Sequence, residues 1–172
     1  GDFDWAQSQF DILKSSTSKF IANDALDLSV FILENKGEDS IMAPLQAYAQ
    51  AELAVFQNRF GDAFAILDSL LVKYPNNELE DDVEYLKAQI FFKKQEYQKA
   101  AEMYQLILDK YKEEIKADNA LFELAQLNEI QLNNKEKAKE LYEKLFIEYS
   151  GSTFAVEARK RFRILRGDKI QS

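Results

Sequence analysis

The chain repeats itself. Ala63, Ala100 and Ala138 recur at intervals of 37 and 38 residues, and Tyr74, Tyr111 and Tyr149 keep the same intervals. Leu67, Tyr104 and Tyr142 follow that register, as do Leu70, Ile107 and Leu145, while Ala51, Ala88 and Ala125 recur at 37 and 37. The one-residue difference falls in the third turn, where Asn133-Asn134-Lys135 replaces a shorter link. Self-similarity at this period marks an array of small supersecondary units, none of which buries its apolar face alone. A fainter echo relates residues 20–26 to 115–121, so the first helix reads as the second half of a unit whose first half lies outside the chain.

Each unit reads as a pair of helices. Only five glycines and two prolines occur in 172 residues, too little punctuation for a sandwich or barrel. Apolar residues spaced three and four apart predict helices over about 2–13, with Phe3, Ala6, Phe10 and Leu13 on one face, and over about 20–36, ended by Gly37. A third runs from an N-cap at Ser40, with Pro44 in its first turn, to about Asn58. Gly61 marks the next turn, and a fourth helix over 62–73 is closed by Tyr74-Pro75-Asn76-Asn77. Helices over about 78–94, 97–111, 117–132, 136–149 and 152–166 complete nine, and short links make successive ones antiparallel. The expected fold is an all-α, right-handed α-α superhelix filling 1–172 as a single repeat domain. Its parts are partial N-terminal helices at 2–43, repeats at 44–77, 78–114 and 115–151, and a capping helix at 152–172.

Small first-helix residues at Ala51, Ala88 and Ala125, alanines twelve or thirteen positions later, and Pro75 closing a unit together resemble the tetratricopeptide repeat. The period is longer than that family's usual 34, its first-helix Trp and Gly are absent, and only one unit ends in proline. The longer units with Tyr-Pro-Asn resemble the C-terminal part of larger bacterial, Bacteroides-type tetratricopeptide proteins and envelope-associated repeat proteins. The resemblance implies a non-enzymatic scaffold for a protein or peptide partner, or else a structural spacer in a larger cell-envelope assembly. It also implies that first-helix positions line a concave groove. Tyr48, Tyr85 and Phe122 recur at 37 and 37, each followed one turn later by Glu52, Gln89 and Gln126. These six are the candidate partner-binding residues, with inter-repeat packing as the competing account of the aromatics.

Composition closes off other chemistry. The chain has no His and no Cys, so triads, Cys-His pairs, imidazole or thiolate zinc sites and disulfides fall away. No catalytic residue, metal ligand, cofactor or small-molecule substrate is expected. Carboxylates alone remain: Glu113, Glu114 and Asp118, and the run from Glu78 to Glu84, which reads as helix-dipole complement at exposed helix starts rather than as a cation site. Net charge is −8. Residues 159–172 hold six basic side chains against Asp168, a net of +5 that leaves −13 on the rest. An acidic body of this kind disfavours nucleic acid. No apolar run of about 18 residues suggests a membrane span. Arg166-Gly167-Asp168 matches an adhesion tripeptide but reads as a basic last turn with a stop glycine. Trp5 is expected in core or cap. The abrupt start at Gly1, with no leader pattern, reads as a piece of a longer protein.

Overall fold

A computed structural model of the chain describes residues 2–14, 28–33, 42–114 and 116–168. Among these, helix is the only regular structure. The chain divides into two compact units, Gly1–Glu80 and Asp81–Ser172. The first holds α1 (Phe3–Leu13), a helical stretch over 28–33 (α2), α3 (Ala43–Phe56) and α4 (Phe60–Lys73). The second holds α5 (Glu80–Lys93, starting at the boundary), α6 (Tyr97–Lys110), α7 (Lys116–Ile130), α8 (Lys135–Glu148) and α9 (Ala155–Arg166).

The recurring residues have structural duties that repeat with them. Ala51, Ala63, Ala88, Ala100, Ala125 and Ala138 are all fully buried, as are the larger residues of the 67/104/142 and 70/107/145 columns. Tyr74, Tyr111 and Tyr149 are the C-caps of α4, α6 and α8, their N–H groups donating to the carbonyls of Leu70, Ile107 and Leu145. Tyr149 adds a hydroxyl bond to the Lys112 carbonyl at 3.0 Å, 37 residues back. In the second unit the helices fold back on each other: the Phe92 and Tyr97 rings lie 5.6 Å apart across the α5–α6 turn, and Tyr85 and Tyr104 meet at 5.7 Å further down. Constant residue sums of this kind are the mark of an antiparallel pair. Contacts between α6 and α7, α7 and α8, and α8 and α9 continue the stack.

Turn chemistry explains the uneven period. At the α3–α4 and α5–α6 turns, Asn58 and Gln95 have φ of 58° and 61°. The next residue's N–H reaches back five positions, Arg59 to Ala54 at 2.8 Å and Glu96 to Phe91 at 2.9 Å, a Schellman closure. At the α7–α8 turn the left-handed residue is Asn133, with φ 51°. There Leu132 N–H donates to Leu127 and Asn134 N–H to Asn128, six positions back. One residue is accommodated as a wider turn, while Ala125 and Ala138 stay fully buried.

Several sequence expectations are corrected here. Gly61 lies inside the first turn of α4; the turn itself is made by Asn58, because Asn tolerates the left-handed region almost as readily as Gly. The N-cap of α3 is Met42, not Ser40, which lies outside the described residues, and Pro44 is in the first turn as expected. Helix 20–36 with its Gly37 stop is described only over 28–33. Leu13 and Trp5 are exposed, while Phe3, Ala6 and Phe10 are half-buried. α1 is tied instead by its Asp2 cap on Trp5 N–H and by Gln7 donating to buried Ser29. The adhesion-like tripeptide is a helix stop: Gly167 takes φ 91°, Asp168 N–H bonds the Arg163 carbonyl, and the Asp168 carboxylate is held by Arg166 and Arg163.

Ala100 offers the cleanest test of the register. With its side chain fully buried, Ala100→Leu is expected to destabilise by about 1 to 3 kcal/mol through overpacking. Urea denaturation with an unchanged slope checks this; an unshifted midpoint contradicts the register.

Candidate interaction surface

The aromatic column is packing. Tyr48 on α3 is buried, its ring 5.3 Å from Phe31. Tyr85 on α5 is buried against Tyr104, with the Lys116 ammonium 5.8 Å from its ring centroid. Phe122 on α7 stacks on Phe154 at 4.6 Å and meets Tyr142 edge-on at 6.0 Å. Each ring fills the space between successive helices, so the competing account given by the sequence describes the aromatics. The residues one turn on differ. Glu52 is exposed, and Gln89 and Gln126 are half-buried. In the second unit the result is a pair of amides one turn beyond buried rings, and in the first a carboxylate placed the same way.

Tyr85 is the hinge between floor and surface. Burial pushes its hydroxyl pKa above the ordinary value, Glu123 adds to that, and hydrogen bonds to Gln89 and Asn119 oppose it. The phenol stays neutral and is hydrogen-bonded to the amides beside it.

Two polar clusters escaped sequence reasoning. Asp81 and Asp82 open α5 in buried positions, not at an exposed helix start. Burial pushes the Asp81 carboxyl up, with Glu114 adding to the effect, and Asp82 pairs with Lys116 at 3.4 Å. The helix start is covered because α7 begins beside it, a contact 34 residues away that no local pattern announces. Glu129 on α7 accepts from the Tyr142 hydroxyl at 2.8 Å and from Arg161 on α9 at 3.3 Å, while Arg161 also bonds Glu157 at 3.1 Å. Three helices are joined through one carboxylate. Among the described residues, no group of three or more His, Cys, Asp or Glu is arranged to hold a metal ion, and no helix is long and apolar enough to cross a membrane.

These carboxylates generate two expectations. Glu129→Ala strips Tyr142 and Arg161 of a shared acceptor and is expected to cost about 1.5 to 3 kcal/mol in urea denaturation; Glu129→Gln keeps one acceptor and should lose less. Glu123 is pushed above the usual carboxylate range by burial. The folded chain thus holds this proton more tightly than the unfolded one, and stability from this group falls as pH rises from the ordinary Glu value through the raised one. Glu123→Gln should therefore raise Tm at neutral pH, and the advantage should shrink as pH is lowered through that window. Thermal melts from about pH 4 to pH 8 read both directions.

Residues 82–113 and 119–152 each match the family model of the tetratricopeptide repeat. These spans coincide with the helix pairs α5–α6 and α7–α8. No curated protein matches the chain. The repeat is typically a non-enzymatic module, and its general role is to mediate protein–protein interaction. With their recurrent buried alanines and tyrosine caps, these two matched segments are tetratricopeptide repeats.

Proposed function

We propose that the chain is a non-enzymatic scaffold that holds a protein or peptide partner on its first-helix face. The observation that carries this reading is the contrast along α5 and α7. Tyr85 and Phe122 are buried, whereas Gln89 and Gln126, one turn on, remain half-exposed. A firm aromatic floor under amides that both donate and accept suits a peptide backbone, which presents both kinds of group. In the first unit, taken by itself, Glu52 stands one turn beyond buried Tyr48 with a negative charge in place of the amide. α9 closes the stack in this reading: Ala158 is buried, Phe162 meets Phe146 at 5.5 Å, and Arg159, Lys160, Arg163 and Arg166 are exposed. Sequence charge favours a neutral or basic partner over nucleic acid.

Burial alters the choice of test variant. Truncating Tyr85 would open a core cavity and confound binding with folding. Gln89→Ala combined with Gln126→Ala keeps both rings, at the loss of one hydrogen-bond partner of the Tyr85 hydroxyl. A random heptapeptide library displayed on phage, selected on the whole chain, should yield peptides that bind this double variant roughly tenfold more weakly, a loss of about 1.4 kcal/mol. Selected peptides that all bind the variant as well as the parent chain would place binding elsewhere; no selection at all would remove the scaffold reading.

A further inference from the structure

A second groove lies away from that face. It has a volume of about 600 Å³ and is bounded by α6, by the C-terminal half of α7 and by the start of α8. One wall is a single stripe of α6, Gln98, Glu102, Gln105 and Asp109, spaced four, three and four residues so that all share a face. Amide and acid alternate along it. Across the groove stand buried Leu124 and, on the same helix, Asn128, whose amide is bonded to the Leu124 carbonyl at 2.8 Å. The volume is in the range of ligand-binding clefts, and an apolar floor with a few convergent polar groups is their usual make-up.

Charge identifies the occupant. α7 has no basic residue between Ala117 and Ile130, so the acids of α6 face no cation from the opposite helix. Lys137 is the one cation lining the groove among the described residues, and its ammonium is 3.7 Å from Glu140, outside the lining set. The next helix pair shows the alternative solution. Shifted by 38, the α6 stripe becomes Glu136, Glu140, Glu143 and Ile147 on α8, and Asn128 becomes Arg166 on α9. There the chain supplies its own guanidinium: Arg166 is held in its charged form first by Asp168 and also by the Glu143 carboxylate. Where α8 and α9 answer acid with base inside the molecule, α6 and α7 leave acid facing leucine and amide.

We propose that the α6–α7 groove takes an extended peptide segment of a partner protein bearing a Lys or Arg next to an aliphatic residue. The cationic head lies between Glu102 and Asp109, about 10.5 Å apart along an ideal helix axis at about 1.5 Å per residue, the stretch of about three extended peptide residues. Gln105 already donates to Asp109 at 2.9 Å, which fixes that carboxylate's orientation and leaves its other oxygen for the ligand. The aliphatic neighbour covers Leu124, and Gln98 and Asn134 meet the peptide backbone. This subsite rests on the scaffold reading and adds a second, charge-selective point of attachment to the amide face.

The same phage-displayed heptapeptide library tests it, selected at low salt on the whole chain and then scored on two variants, Glu102→Gln/Asp109→Asn and Gln89→Ala/Gln126→Ala. The first alters exposed carboxylates and the second half-buried amides, and circular dichroism with a urea midpoint verifies that each keeps its helix content and stability. The expected result is a family of selected peptides with Lys or Arg beside Leu, Ile or Val. Its members should bind Glu102→Gln/Asp109→Asn roughly tenfold more weakly, bind Gln89→Ala/Gln126→Ala unchanged, and weaken as salt rises. Selected peptides lacking any basic family, or a basic family that binds the Glu102→Gln/Asp109→Asn variant as tightly as the parent, would overturn the groove. Peptides sensitive only to Gln89→Ala/Gln126→Ala would overturn it while leaving the scaffold standing. An empty selection would overturn both.

Discussion

Everything in this chain depends on how closely two helices can approach where an alanine faces a neighbour. The six recurring alanines have no exposed surface at all. A methyl group is the largest side chain that lets backbones pack at such crossings, so each alanine sets the spacing for the large residues above and below it. Those residues, Tyr104 and Ile107 on α6 and Tyr142 and Leu145 on α8, are themselves fully buried and fill the space between the helices. Tyr serves there where Leu67 serves on α4, because what the position demands is volume at a fixed distance from an alanine.

Turns carry the second constraint, and they are less demanding than the period implies. Three turns use a left-handed residue at the same place, Asn58, Gln95 and Asn133. None is glycine. The strain of one such residue is small beside the burial it permits, and Asn can satisfy the same backbone geometry at little loss. The wider α7–α8 turn shows that the link length can change by one residue without moving the alanine pair out of register, because the added residue loops outward and its neighbours' N–H groups find carbonyls one step further back.

Legibility in the sequence followed the range of the interactions. Helix content, the repeat register and the Arg166-Gly167-Asp168 stop were all readable, since each depends on residues a few positions apart or on strict recurrence. Gly61 misled because glycine is the commonest turn marker, while the actual turn rested on Asn58. Asp81 and Asp82 misled for a different reason: a helix start is ordinarily wet, and its burial by Lys116 and its neighbours is a long-range event. The candidate site divided along the same line. That Gln89 and Gln126 share a face with Tyr85 and Phe122 follows from helical spacing. That the rings are floor rather than surface depends on Tyr104, Tyr142 and Phe154, partners set by the packing of other helices.

An acidic protein of this size has to place its carboxylates where their repulsion does least harm, and the second unit does so in three ways. Glu129 is shared between a phenol and a guanidinium, so its charge becomes a link between α7, α8 and α9. Asp82 is set against Lys116, whose ammonium also lies over the Tyr85 ring, so one cation serves both the buried acid and the aromatic floor. Asp168 and, more weakly, Glu143 on α8 act on Arg166 of α9. Charge at each of these places is answered within the fold. Along the α6 stripe the same repeat geometry presents acids to the apolar and amide side chains of α7, with Lys137 the one lining cation among the described residues and paired to Glu140, and an acidic surface left largely uncompensated is where a basic partner gains most by docking.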